Sequence, residues 1–146
     1  MIPNKSGIVK ETALSLIAQL DQLPIFLESV RQMAESAGLD QAQHSRLELV
    51  IEEAWVNICH HAYADQASGM VRCRVVVGID GLWMEIADEG PAFNPLTQID
   101  PDTGLALDQR KPGGLGILLI KSLVNEIAYR REDGWNVLTL GMRKEC

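Results

Sequence analysis

The spacing of apolar residues along the first half of the chain predicts two helices. Apolar positions three and four apart favour a first helix that begins at Asp21 and ends at Gly38. A longer second helix follows, and Asp40 with Gln43 three residues later forms a capping-box pattern at its start. The pattern of this second helix runs out near residue 63 or 64.

Valine-rich and alternating stretches predict strands around these helices. The predicted strands lie at residues 10–18, 70–79, 82–88, 126–131 and 135–142. Asp80-Gly81 and Asp133-Gly134 are two-residue hairpin signals, and a short helix led by glycines covers residues 115–124. Hairpins combined with helices that must cover a face predict an α+β fold, a two-layer sandwich with a mixed, mostly antiparallel sheet covered on one face by helices.

The length of the chain, 146 residues, predicts a single domain over residues 1–146. No repeat or linker interrupts it, but the polar stretch at residues 94–112 is too long for a simple connection. Loops of that length are usually lids or binding segments, so we expect a mobile lid there.

Charge and targeting signals narrow the class of protein. The net charge is −7 and no long basic run occurs, which argues against a direct nucleic-acid partner. No signal-peptide pattern or bilayer-spanning apolar run is present, so we expect a cytoplasmic protein without membrane contact. Cys59, Cys73 and Cys146 are odd in number and widely spaced, as expected of reduced thiols.

Three polar residues at four-residue steps form the first candidate site. Glu53, Asn57 and His61 lie in one row on the second helix, at the edge of its apolar stripe. Such a row can face a ligand, but glutamate and asparagine at a helix edge are as often simply solvated. A metal site built from the adjacent Cys59, His60 and His61 is disfavoured, because successive helical residues point about 100° apart.

Two glycine-containing segments supply further candidate chemistry. Asp88 follows a strand and precedes Gly90, so its carboxylate can accept a hydrogen bond from an exocyclic amine, although an ordinary strand-ending turn has the same pattern. Gly113, Gly114 and Gly116 stand before a helix, where backbone amides can approach phosphate oxygens. The segment fits neither a Walker A loop nor the dinucleotide fingerprint.

Taken in order, residues 53–63, 88–95 and 113–117 resemble the N, G1 and G2 boxes of the GHKL, or histidine-kinase-like, ATPase superfamily. Within it the chain looks most like the stand-alone serine/threonine kinases that act as bacterial anti-sigma factors. The resemblance continues to Thr139 and Leu140, so it covers nearly the whole chain. It implies a Bergerat-type ATP-binding fold that uses ATP and Mg²⁺.

The resemblance also implies roles for individual residues. Glu53 corresponds to the general base, Asn57 to the magnesium contact and Asp88 to the reader of the adenine amino group. The remaining positions implied to contact the nucleotide are Gly90, Phe93, Arg110, Gly113, Gly114, Leu115, Gly116 and Thr139. Asparagine is a weak neutral ligand, so Mg²⁺ would arrive mostly bound to the triphosphate. Arg110 or Lys111 could add positive charge beside the phosphates.

The function that the resemblance implies is an ATP-dependent serine/threonine protein kinase acting as an anti-sigma factor. Its implied partners are a STAS-type antagonist, which it would phosphorylate, a sigma factor, and a second copy of itself in a homodimer. Two alternatives stay open: a nucleotide-binding sequestering module with little kinase activity, and the catalytic component of a split histidine kinase. Against the first stands the presence of Glu53, and against the second the absence of long dimerisation helices.

Overall fold

The structure is a computed structural model that describes residues 2–4, 7–62, 69–98 and 114–145, without the side chains of His61, Thr97, Gln98, Gly114 and Leu115. It is an α+β fold, as predicted. The strands are β1 (Ile8–Ile17), β2 (Met70–Gly78), β3 (Gly81–Asp88), β4 (Glu126–Glu132) and β5 (Trp135–Arg143). The α-helices are α1 (Leu23–Ser36), α2 (Gln41–Asn57) and α3 (Gly114–Leu123).

The five strands form one open sheet in the order β1-β2-β3-β5-β4. The sequence predicted a mixed, mostly antiparallel sheet. Every pairing among the described strands is antiparallel. The hairpins β2–β3 and β4–β5 account for two of these pairings. The β4–β5 hairpin returns so that β5, not β4, lies beside β3, which brings Asp88 opposite Asn136.

The core lies between the helices and one face of the sheet. Phe26 of α1 and Trp55 of α2 are fully buried, with ring centroids 5.9 Å apart, and the indole of Trp55 donates to the Gln19 carbonyl at 2.9 Å. Burying a large apolar side chain contributes about 1.5 to 3 kcal/mol. Inward-facing residues such as Val75 and Leu140 complete this layer from the sheet.

The predicted capping box at the start of α2 is confirmed. The Gln43 backbone amide donates to the Asp40 carboxylate at 2.8 Å, and the Asp40 amide donates to the Gln43 side chain at 3.2 Å. The buried Gln43 amide group also donates to the Arg143 carbonyl at 2.7 Å. The beginning of α2 is therefore tied to the end of β5, which fixes the helix across the sheet.

Element ends differ from the predictions in three places. Asp21 lies in a 3₁₀ turn, Leu20–Gln22, and α1 begins after it with Gln22 at the N-cap. The β2–β3 loop is Ile79–Asp80, because Gly81 already belongs to β3, where any side chain would overlap the backbone of Met142. The α-helical part of α2 ends at Asn57 and continues as a π-helix, Ile58–Ala62.

The second hairpin turn is confirmed at Asp133 and Gly134, which both have positive φ angles of 50° and 85°. Cys59 and Cys73 are free thiols, and burial raises the pKa of Cys73 to about 12. Cys146 lies outside the described residues. Across the described chain, no helix is both long and apolar enough to cross a membrane.

Candidate functional site

A cleft opens between the helix layer and the sheet, at the end where β3 and α2 terminate. The space in it that a water molecule can reach is about 50 Å³, so the cleft is narrow as it stands. Its walls are mostly apolar, and its polar side chains come from four elements. The lining residues are Ala54, Asn57, Ile58, Ala62, Ile86, Asp88, Pro91, Phe93, Pro95, Ile117, Tyr129, Asn136 and Leu138.

Asp88 lies at the sheet side of the cleft, at the last position of β3. Its side chain is buried, and its Oδ1 accepts hydrogen bonds from the Gly90 amide and the Asn136 side chain, both at 2.9 Å. Burial raises the pKa of the Asp88 carboxyl above its ordinary value. These two hydrogen bonds and the charge of Arg131 oppose that rise. A carboxylate held in this way is a fixed acceptor at the wall of an apolar cleft.

Asn57 lies at the helix side of the cleft, at the last residue of α2. Its Nδ2 is buried and has no hydrogen-bond partner in the part of the chain that the structure describes. An unsatisfied buried amide is costly in a folded protein, by about 1 to 3 kcal/mol. Within the described residues this donor is therefore available to a polar ligand in the cleft.

Glu53 lies one turn before Asn57 and contacts the beginning of α3. A Cβ built on Gly116 would lie 2.6 Å from the Glu53 Oε2, so a larger residue there would force the flexible Glu53 carboxylate to shift. Glu53 and Gly116, which were both predicted to belong to the site, are thus neighbours in space. The free backbone amides of a helix N-terminus favour anions, so this corner suits the phosphate end of a ligand.

Gly90 permits a second close approach. A Cβ at Gly90 would lie 2.7 Å from the Cα, Cβ and carbonyl oxygen of Ala62, at the end of the π-helix. The turn after β3 is thus packed directly against the end of the second helix. Glu53 and Asn57 lie in the α-helical part of this segment, whereas residue 61 lies in the π-helical part, which has a different residue period.

The remaining predicted site residues divide into three groups. Phe93 lines the cleft and is 37% exposed. Gly114 and Leu115 form the first turn of α3, while Arg110, Gly113 and most of the predicted lid lie outside the described residues. Thr139 is not brought to the cleft, because alternation along β5 turns it to the opposite face of the sheet. Its hydroxyl there accepts from Arg130 at 3.5 Å.

Three polar residues of the cleft region were missed by the sequence reasoning: Tyr129, Arg131 and Asn136. Asn136 faces Asp88 across the β3–β5 pairing, and Tyr129 and Arg131 contact Asn136 from β4. The available signal was a polar amide two residues after a hairpin turn, at the start of an otherwise apolar strand.

Comparisons with known proteins agree with this geometry. Residues 16–142 match the family described as the histidine kinase-like ATPase domain (HATPase_c_2). The chain belongs to this family. The predicted superfamily and its fold are therefore confirmed.

Curated relatives of the histidine kinase-like ATPase chain include two named protein kinases. The chain is 33% identical to the serine/threonine-protein kinase BtrW of Bordetella bronchiseptica over 94 residues, which cover 64% of this chain and 66% of BtrW. It is 30% identical to the serine-protein kinase RsbW of Bacillus subtilis over 132 residues, covering 87% of this chain and 80% of RsbW. The expected likeness to small serine/threonine kinases is thus confirmed.

A solved structure shares the fold. The crystal structure of the RsbU and RsbW domains of a Mycobacterium tuberculosis protein matches with a TM-score of 0.64 and 18% sequence identity. The match covers 92% of this chain and 32% of the other. At this identity the likeness shows the fold alone.

The residues of the cleft fit the nucleotide that an ATPase family implies. Asp88 offers a buried acceptor on the sheet side. On the helix side lies the Asn57 amide, on the same helix as Glu53, which contacts the N-terminus of α3. Among the described residues, no three His, Cys, Asp or Glu side chains cluster closely enough to hold a metal ion.

Proposed function

We propose that this chain is an ATP-dependent serine/threonine protein kinase that acts as an anti-sigma factor and phosphorylates a STAS-type antagonist. The observation that supports the proposal is the cleft with a fixed acceptor, Asp88, on its sheet side and a buried donor, Asn57 Nδ2, on its helix side that has no partner among the described residues. The named kinase relatives supply the reaction class.

Each polar residue has a defined part in this proposal. Asp88 accepts a hydrogen bond from the adenine amino group, and Asn57 donates its free amide protons to phosphate oxygens while its carbonyl oxygen serves as a ligand of Mg²⁺. When bound, Mg²⁺ neutralises phosphate charge and orients the transferred group. The first amides of α3, at Gly114 and Gly116, receive the phosphate negative charge.

Glu53 performs the proton transfer. Its carboxylate accepts the proton of the incoming serine or threonine hydroxyl, so that the hydroxyl oxygen can attack the γ-phosphorus while the bond between that phosphorus and ADP breaks and ADP leaves. The close packing of Gly116 restricts where the Glu53 carboxylate can lie. The sequence further assigns Gly113 and Arg110 to the phosphates and residues 94–112 to a lid over them.

The partners in this proposal are proteins. A net charge of −7 disfavours nucleic acid and suits a protein surface in the cytoplasm. Self-association would use the side formed by β1 and α1, since β1 is an edge strand and Val9, Ile17 and Ile25 expose apolar side chains there. A homodimer formed on that side leaves the cleft open to the phosphoacceptor.

The test is capture of partners from the native cytoplasm with Glu53→Gln as bait, in the presence of Mg·ATP. A variant that binds nucleotide but transfers phosphate slowly should hold its substrate longer than the wild-type chain. We expect mass spectrometry to identify a STAS-domain protein and a sigma factor, both depleted when Asp88→Asn is the bait. Recovery of neither protein would contradict the anti-sigma assignment. The nucleotide site would then be tested separately, by a titration with ATP.

A further inference from the structure

The side chain of Asn136 is the centre of a buried hydrogen-bond network at the cleft. Its Nδ2 donates to Asp88 Oδ1 at 2.9 Å, to the Pro91 carbonyl at 2.9 Å and to the Gly90 carbonyl at 3.3 Å. Its Oδ1 accepts from the Tyr129 hydroxyl at 2.6 Å, from Arg131 at 3.1 Å and from the Phe93 backbone amide at 3.2 Å. The amide has two N–H groups and two oxygen lone pairs, so on each side three partners share two bonding positions.

The partners fix which way the Asn136 amide points. Every group near Nδ2 is a carbonyl or carboxylate oxygen, and every group near Oδ1 is an N–H or O–H donor. A flipped amide would oppose like with like at five of these contacts, and only the Tyr129 hydroxyl could turn to accept. Hydrogen bonds from two strands and one turn therefore hold the Asn136 amide in one orientation.

This orientation determines which oxygen of Asp88 is available to a ligand. Oδ1 already accepts from the Gly90 amide and from Asn136. None of the hydrogen bonds among the described residues ends on Oδ2. In the described part of the chain, the protein therefore bonds Oδ1 of Asp88 only. A ligand in the cleft would bond Oδ2.

The same amide also fixes the wall of the cleft. It bonds the carbonyls of Gly90 and Pro91 and the amide of Phe93, and Arg131 donates to the Gly90 carbonyl at 2.8 Å. Pro91 and Phe93 line the cleft beside Asp88. One side chain thus sets both the acceptor and the surface against which a flat ring would lie.

We propose that Asn136 is a positioning residue that sets the base selectivity of the cleft, by holding Asp88 and the turn at residues 90–93 so that a purine with a 6-amino group is preferred over one with a 6-oxo group. The inference rests on the proposed function, in which the cleft binds ATP through Asp88. A fixed ionised oxygen accepts from an amino group but faces the lone pairs of a keto oxygen. Loosening of the carboxylate and the turn removes that discrimination.

The test compares ADP with IDP, which differ at this ring substituent, by calorimetric titration in the presence of Mg²⁺. The wild-type chain should prefer ADP. Asn136→Ala should weaken ADP binding about tenfold or more and reduce the ADP/IDP affinity ratio at least about fivefold. Asn136→Asp, with a similar shape but no amide donor, should reduce the ratio as well, which a purely space-filling role would not do.

Two further variants keep the test decisive. Asn125→Ala is the matched control, since Asn125 is an exposed asparagine whose side chain accepts from the Arg143 amide, away from the cleft, and it should leave the ratio unchanged. Tyr129→Phe removes one bond to Asn136 Oδ1 and keeps the ring, so it should lower the ratio by a smaller factor. If thermal melting shows that both Asn136 variants are unfolded, Tyr129→Phe decides the question.

The outcomes separate this inference from the proposed function. If folded Asn136→Ala prefers ADP as strongly as the wild-type chain does, the positioning role alone is overturned. If the Asn136 variants do not fold, the same result in Tyr129→Phe overturns it. Equal affinity of the wild-type chain for ADP and IDP overturns it as well, while the nucleotide site stands. Failure of the wild-type chain to bind either nucleotide overturns both the inference and the proposed function.

Discussion

Replacing Glu53 by Gln is expected to slow phosphoryl transfer to the protein substrate by roughly 10² to 10⁴, the range for loss of a general base. Glutamine has nearly the same shape and can occupy the position against Gly116, but it cannot accept the hydroxyl proton. Binding of Mg·ATP should stay close to the wild-type value. The measurement is single-turnover transfer from radiolabelled ATP to the captured STAS-domain protein, with calorimetry for the binding step.

Two variants on the same helix serve as comparisons. Glu52→Gln makes the same chemical change at the neighbouring exposed position and should leave transfer unchanged. Asn57→Ala should instead weaken magnesium-dependent nucleotide binding, because it removes the buried amide that has no partner in the described part of the chain. Wild-type transfer rates in Glu53→Gln would contradict the base assignment, and another group would then have to accept the hydroxyl proton.

Replacing Asp88 by Asn should weaken ATP binding about tenfold or more. The protein uses one oxygen of Asp88 for two donors, and the ligand needs the other oxygen. Asparagine has a single acceptor oxygen, so its amino group must face a donor on one side or the other. An unpaired buried polar group costs about 1 to 3 kcal/mol, which corresponds to roughly 5- to 150-fold in affinity.

The control for Asp88→Asn is Asp80→Asn, the same change at an exposed loop position at the other end of β3. Because burial raises the pKa of Asp88, acidification should protonate it at a higher pH than an ordinary aspartate. Wild-type affinity for ATP should fall as the pH drops through that raised value, and the affinity of Asp88→Asn should not. Equal affinity of Asp88→Asn and the wild type at neutral pH would contradict the adenine-reader assignment.

Local signals in the sequence predicted most of the fold. The capping box at Asp40 and Gln43 and the turn at Asp133 and Gly134 depend on a few adjacent residues, and both are present in the structure. The Ile79–Asp80 loop was displaced by one residue because Gly81 is needed inside β3 by the backbone of β5, which is distant in sequence. The order of the strands also depends on pairings between distant segments, which no local pattern reports.

The candidate site was predictable only where chemistry followed local spacing. Asn57 and Asp88 were selected from their own motifs, and the structure places both in one cleft. The role of Asn136 depends on its register opposite Asp88, 48 residues away, so it could not be assigned from spacing. Thr139 was selected from a resemblance, but the alternation of β5 turns it to the other face of the sheet.

The central claim is that the cleft transfers phosphate from ATP to a serine or threonine of another protein. The most direct measurement is the chemical stability of the phosphate that the wild-type chain places on the captured STAS-domain protein. We predict a phosphate that resists acid, that mass spectrometry locates on a serine or threonine, and that is nearly absent with Glu53→Gln. An acid-labile phosphate on histidine, or no transfer by a wild-type chain that binds ATP, would contradict the account.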